Sequence, residues 1–210
     1  MAKVTLSALV SASQNWLKHS LTTPSSAVWT TAALGGCLAE LSGAGASPLL
    51  TVAFGLVHQV QQCDQPVAWI TSPKSTFFPP DVAAGGVDLS ALPVIRLATF
   101  RQCLRAADQL ARSGAFGLLV IDLGDCIALP LAVQTRLAEQ AITHNTLILF
   151  LTTKTEQQPS LGSLVAIRGQ ARLARHENGR FVCQVSILKD KRHGPGWANE
   201  EWCRGPDGMC

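Results

Sequence analysis

The chain has 210 residues, 47% of them apolar and only 15% charged. This excludes disorder as the main state and fits one ordinary domain with or without a short arm. A formal net charge of +3 does not mark a nucleic-acid binder by electrostatics alone, so any basic function must come from local clustering of the 17 lysines and arginines.

Seven cysteines with no C-x-x-C pair speak against a structural zinc site and read as reduced core thiols of a cytosolic protein. The opening Met1-Ala2-Lys3 and the run from Val4 to Val10, broken by Thr5 and Ser7, are too short for a secretion signal. No run approaches membrane-spanning length, so a cytoplasmic protein is expected.

Residues 1–30 read as an arm with a helix over 6–21, whose apolar positions include Leu9, Trp16 and Leu17. Either packing on its own domain or docking on a partner suits that face. A single domain follows over 31–210. Cys37–Leu41 reads as a short strand, followed by a glycine-rich turn over 42–47. A helix then carries Leu49, Leu50, Ala53, Leu56, Val57 and Val60 on one face, with Ser47 suited to its N-cap and Pro48 to its first position.

Val67–Ile70 is the next buried strand, and a Pro- and Phe-rich loop over 73–80 reads as a lid or an interface patch. Val94–Leu97 is a strand, the face Cys103, Ala107, Leu110 and Ala111 a helix, and Gly117–Asp122 a fully apolar strand ending in a carboxylate. Val133, Leu137, Ala141 and Ile142 mark another helix before the strand Thr146–Leu151. Continuously apolar strands alternating with helices predict an α/β fold with a mostly parallel sheet covered on both faces. The segments 164–175 and 180–188 flank an Asn-Gly turn and predict an antiparallel C-terminal hairpin, and 193–210 reads as an irregular tail.

Strand, glycine-rich turn and helix form the setting of a phosphate-binding loop, which requires G-x-x-x-x-G-K-[ST]. The window is Gly43-Ala44-Gly45-Ala46-Ser47-Pro48-Leu49-Leu50, and only its first glycine fits. Pro48 removes a backbone donor, Leu49 replaces the lysine that neutralises phosphate, and Leu50 replaces the hydroxyl that holds magnesium. The turn reads either as a residual anion site or as a turn retained for packing. Asp122 stands where a magnesium-orienting carboxylate would stand, with no second metal-binding group near it in sequence. The five histidines are scattered, and no Ser-His-Asp grouping emerges from their spacing. No catalytic residue, cofactor or metal is expected.

Two basic groups remain. Lys189, Lys191, Arg192 and His193 form the densest cluster, either a contact surface or a solvated strand end. Arg168 and Arg172 share one strand face by the period of two, whereas Arg175 points the other way.

The segment 36–152 resembles the core of RecA, the bacterial recombinase, in the order of its local strings. Gly36-Cys37-Leu38-Ala39-Glu40-Leu41-Ser42-Gly43 is similar to the RecA strand entering the phosphate loop, and Leu119-Val120-Ile121-Asp122 to its Walker B strand. Gly86-Val87-Asp88 and the string over 111–115 also resemble RecA, as does Val185-Ser186-Ile187-Leu188-Lys189-Asp190-Lys191, whose two lysines in that family reach a neighbour's nucleotide. The resemblance implies a water-activating glutamate after Val67–Ile70, yet Thr71-Ser72-Pro73-Lys74 stands there. The region matching the second DNA-binding loop, Thr153 to Leu164, is short and nearly uncharged, and nothing matches the family's C-terminal domain.

A shortened RecA-like chain with a degenerate phosphate loop resembles the ImuA family. That implies a pseudo-ATPase of the DNA-damage response with RecA, ImuB and, indirectly, an error-prone replicative-type polymerase as partners. DNA contact would be weak or indirect, and the location the nucleoid. The ending Gly194-Pro195-Gly196-Trp197 with Pro206-Asp207-Gly208 is similar to that family. Two alternatives stay open: a SulA-like inhibitor of the division protein FtsZ, and an unorthodox ATPase using Asp122 with lysines donated from outside. On the filament reading, Lys189 and Lys191 reach across an interface and the arm serves the other side.

Overall fold

Leu38–Ser42 (β1) has every residue buried, and its side chains alternate between two hydrophobic cores on opposite faces of one sheet. The computed structural model describes residues 29–72, 82–83, 85–175 and 181–202, and the expected helix over 6–21, with Trp16 and Leu17, lies outside them. So do the Phe-rich loop and the end of the tail.

A four-residue helix, Thr31–Leu34 (α1), precedes β1, and the longer Leu49–Gln61 (α2) follows it. Val67–Thr71 (β2), Val94–Arg96 (β3), Phe100–Ser113 (α3), Leu118–Asp122 (β4), Leu131–His144 (α4) and Leu147–Thr152 (β5) come next. The chain closes with Ile167–Arg175 (β6), Phe181–Asp190 (β7) and Ala198–Trp202 (β8). The sheet runs β3-β2-β4-β5-β1-β6-β7-β8, parallel from β3 through β6 and antiparallel thereafter.

Period-two alternation assigns each strand's side chains to the two cores. Ala39, Leu41, Trp69 and Val120 face α2, which buries Val52, Ala53, Leu56, Val57 and Val60. Trp29, just before α1, is buried in this same core. On the other face Leu38, Ile70, Ile121 and Phe150 meet Cys103 and Ala107 of α3 and Leu137 and Ala141 of α4. Burying a side chain of this size contributes about 1.5–3 kcal/mol. Thr99 opens α3 with a capping box completed by Gln102, and Gly114 closes it in the left-handed region at φ 65°.

The sheet and its hairpin match the sequence reading, three details correct it and a fourth adds to it. Pro48, not Ser47, occupies the N-cap of α2, and no side chain caps that helix. Ser47 is displaced because its side chain lies against Gly43, where a Cβ would collide with it. The tail, expected to be irregular, holds β8, which pairs with β7 from Val182↔Trp202 to Ser186↔Ala198. Gly194 and Gly196, at φ 82° and 100°, reverse the chain in a way a Cβ would resist, and the polar sequence of β8 hides it because an edge strand needs no alternation. Cys37, Cys63, Cys103 and Cys126 are free thiols, but Cys183 is disulfide-bonded. Finally, β7 accommodates one extra residue, Leu188, because Arg168 pairs with Lys189 and Gly169 with Ile187.

Candidate functional site

β1, β2, β4 and β5 end along one edge of the parallel sheet, the edge at which open α/β sheets bind ligands. The turn 43–48 leaves this edge. Gly43 donates its N–H to the Thr152 carbonyl at 3.0 Å, and Ser47 donates to the Gly45 carbonyl at 3.0 Å. Gly45 adopts φ 62°, and Ala44, Gly45 and Ala46 are exposed. Leu49 and Leu50 pack against the core facing α2, so apolar side chains turned inward occupy the two positions at which a phosphate loop carries its lysine and hydroxyl. The turn retains a helix N-terminus and no charge.

Asp122 ends β4 level with Leu151, which in turn is level with Leu41 of β1. Two strand spacings therefore separate it from β1, about 10 Å. The structure gives it the hydroxyl that its sequence surroundings lack: Thr71 Oγ1, at the end of β2, donates to Asp122 Oδ2 at 3.2 Å. The Gly124 N–H donates to Oδ1, also at 3.2 Å. Among the described residues no group of three or more His, Cys, Asp or Glu side chains is placed to hold a metal ion.

The densest polar construction near this edge was not anticipated from the sequence. Glu40, in the middle of apolar β1, is fully buried and faces the crossover 153–166, which carries the chain from β5 over β1 to β6 without a helix. Lys154 Nζ lies 3.1 Å from Glu40 Oε1, and Arg168 Nε lies 3.9 Å from the same oxygen. Thr152 and Ser160 donate hydroxyls to the carboxylate at 3.1 and 2.9 Å, and the Leu161 N–H donates at 2.8 Å.

Both cations also serve the crossover's backbone, and Lys154 that of the loop after β4 as well. Lys154 donates to the carbonyls of Ile127 and Pro159, and Arg168 to those of Gln158 and Thr155. Carbonyls in an irregular segment have no helical donors, and these side chains supply them. Burial pulls the Arg168 pKa below its ordinary value, opposed by Glu40. The signal available in sequence was the carboxylate itself, since a buried glutamate in an apolar strand requires a cationic partner.

Most of the other basic positions are also engaged. Arg172 shares the Arg168 face of β6, as expected, but is exposed and ion-paired with Glu156 of the crossover. Lys189 is half-buried and donates to the Gly162 carbonyl at 3.0 Å, and burial, with Lys191 next to it, holds its pKa below the usual lysine range. Lys191 is exposed. Arg192 donates to the carbonyls of Ala33 and Gly35 at the end of α1. Asp190 organises this turn: it accepts from the Arg192 and His193 N–H groups at 2.7 and 3.2 Å and from the Trp197 indole at 3.1 Å. Burial alone would raise the Asp190 pKa, but these donors outweigh it and the pKa lies below the ordinary carboxylate value. Because β7 runs against β6, Lys189–Trp197 occupies the sheet edge opposite the turn 43–48.

No family model matches the chain. It is similar to Protein RecA of Corynebacterium efficiens, with 39% identity over 88 residues, covering 41% of this chain and 22% of that protein. The chain thus matches less than a quarter of the length of this curated relative. No helix among the described residues is long and apolar enough to cross a membrane. The segmental similarity and the mostly parallel eight-stranded sheet with its antiparallel end agree, and the chain is a RecA-like α/β protein.

Proposed function

We propose that the chain is a non-catalytic RecA-like accessory protein of the DNA-damage (SOS) response. In this reading it acts in translesion mutagenesis by binding RecA and ImuB, contacts the error-prone polymerase indirectly, and limits RecA filament activity. The observation that carries the reading is the turn 43–48. It keeps the strand–turn–helix setting of a phosphate loop while the partly buried Leu49 and Leu50 pack against the core. Phosphoryl transfer depends on positioned positive charge and metal, and neither residue supplies any.

The opposed sheet edges support the filament role. A head-to-tail polymer uses two different surfaces of each subunit, and a subunit that offers one competent surface and one altered surface ends the polymer. The exposed Lys191 and the half-buried Lys189 lie on the edge away from the turn, in keeping with a contact that reaches a neighbour.

The test is a pull-down with purified RecA, ImuB and FtsZ, together with calorimetry at millimolar ATP and magnesium. Retention of RecA and ImuB and no saturable heat of nucleotide binding are expected. Retention of FtsZ alone overturns the reading in favour of a SulA-like inhibitor, and saturable ATP binding overturns the non-catalytic assignment.

A further inference from the structure

Five large apolar side chains are exposed among the described residues, and three of them gather at one helix. Leu131 and Ile142 lie on α4, 61% and 72% exposed, and Ile127, 62% exposed, stands in the loop before it. Ile142 was expected on the core-facing side with Leu137 and Ala141. At about 100° per residue it falls 100° or more round the helix from both.

Leu131, Thr135, Ala138 and Ile142 recur at intervals of four, three and four, the spacing of a coiled-coil seam. They fall within about 60° of one another and span about 16 Å along the axis. The Thr135 hydroxyl donates to the Leu131 carbonyl at 3.0 Å, which leaves its methyl group to pack. No charged residue belongs to this stripe. Glu139 stands about 70° from its centre, and Arg136 about 130°, on the side of Asp108 and α3. Nor can α4 roll to hide the stripe. The buried Gln134 donates to the Leu129 carbonyl at 2.8 Å and accepts from the Leu164 N–H at 3.0 Å, while Leu137 and Ala141 are held in the core beneath.

We infer that a second copy of this chain covers the stripe, α4 against α4 in antiparallel register about a two-fold axis. The stripe is its own complement, because Leu131 with Ile142 and Thr135 with Ala138 share one midpoint. Two-fold pairing sets Leu131 against Ile142 of the second copy and Thr135 against its Ala138. Large side chains then close both ends, and the small ones at the centre let the helix axes approach to about 8 Å. Antiparallel helices also oppose their dipoles favourably. Like charges near the axis of such a contact would meet themselves, and the stripe carries none. The contact closes at two copies, so it differs in kind from a head-to-tail polymer and does not depend on the partners proposed above. About three turns of helix bury less than the about 800 Å² per partner of a standard interface, so a weak, concentration-dependent dimer is expected.

The test is sedimentation velocity on the full chain across the micromolar range, where a reversible monomer–dimer equilibrium is expected. Leu131→Glu/Ile142→Glu is expected to weaken association at least tenfold, because glutamates then face each other across the axis. Both positions are exposed, and circular dichroism checks that the fold is intact. The comparator Leu173→Glu, at an exposed position of β6, is expected to stay within twofold of the parent. When Leu131→Cys and Ile142→Cys chains are mixed, a short bis-maleimide is expected to join those two positions, identified by mass spectrometry of the linked peptides. Linkage of Leu131→Cys to its own kind means parallel helices and overturns the proposal. So does a dimer that the double variant leaves intact, or one that Leu173→Glu weakens equally. A monomer at every concentration overturns it too: if Leu131→Cys is then shielded from maleimide, a segment of the same chain covers the stripe, and if it reacts, the stripe belongs to a different protein.

Discussion

Two segments leave the same sheet edge on neighbouring strands and are held in opposite ways. The turn 43–48 after β1 contains no charged side chain and is fixed by two backbone hydrogen bonds, Ser47 against Gly43, and leucines that pack against the core. The crossover 153–166 after β5 is fixed by a buried carboxylate, two buried cations and their bonds to its carbonyls. In a RecA-like architecture these are the places where nucleotide and DNA contacts would be looked for. Here the first has no charge to offer, and the second turns its lysine inward onto Glu40 while its glutamate pairs with Arg172.

The sharpest way to break this contrast is Glu40→Ala. It leaves Lys154 and Arg168 buried without their counter-ion, and a loss of about 3–5 kcal/mol is expected. Urea denaturation followed by circular dichroism measures it, and a loss below about 1 kcal/mol would show that the crossover does not depend on the carboxylate.

A smaller effect is expected at the opposite edge. The Asp190 carboxyl has a folded pKa below its unfolded value, so its contribution is fully present above the unfolded pKa, near 4. It is lost as pH falls through the folded pKa. Asp190→Asn is expected to lower stability by about 1–3 kcal/mol at neutral pH, with the gap from the parent closing in the acid range. Melting temperatures between pH 2 and 7 report the gap, and a constant difference across that range would rule out the titration. The smallest effect belongs to the turn. Ala44→Ser and Ala46→Ser, at exposed positions, are expected to change stability by less than about 0.5 kcal/mol, which thermal denaturation resolves.

The sheet was legible in the sequence because its strands are buried on both faces, leaving apolar runs such as Leu118–Ile121 and Leu147–Leu151 bounded by turns. The defects of the turn were legible for a similar reason, since a phosphate loop is one contiguous string and each departure is visible at a fixed offset. Glu40 was read as part of an apolar run because its partners lie far away in sequence: Thr152 and Ser160 stand 112 and 120 positions beyond it. Only the folded sheet brings them together. β8 was missed because its residues carry no apolar alternation, its order coming from β7.

The crossover has a kinetic consequence. A helical connection between parallel strands can acquire much of its structure from neighbouring residues, whereas this one is anchored mainly to positions on β1 and β6. It can close only after β5, β1 and β6 have aligned, so its bonds belong to the downhill side of the folding barrier. Interactions formed that late govern how fast a protein comes apart more than how fast it assembles. The buried carboxylate of β1 therefore acts as a latch on the lifetime of the folded state.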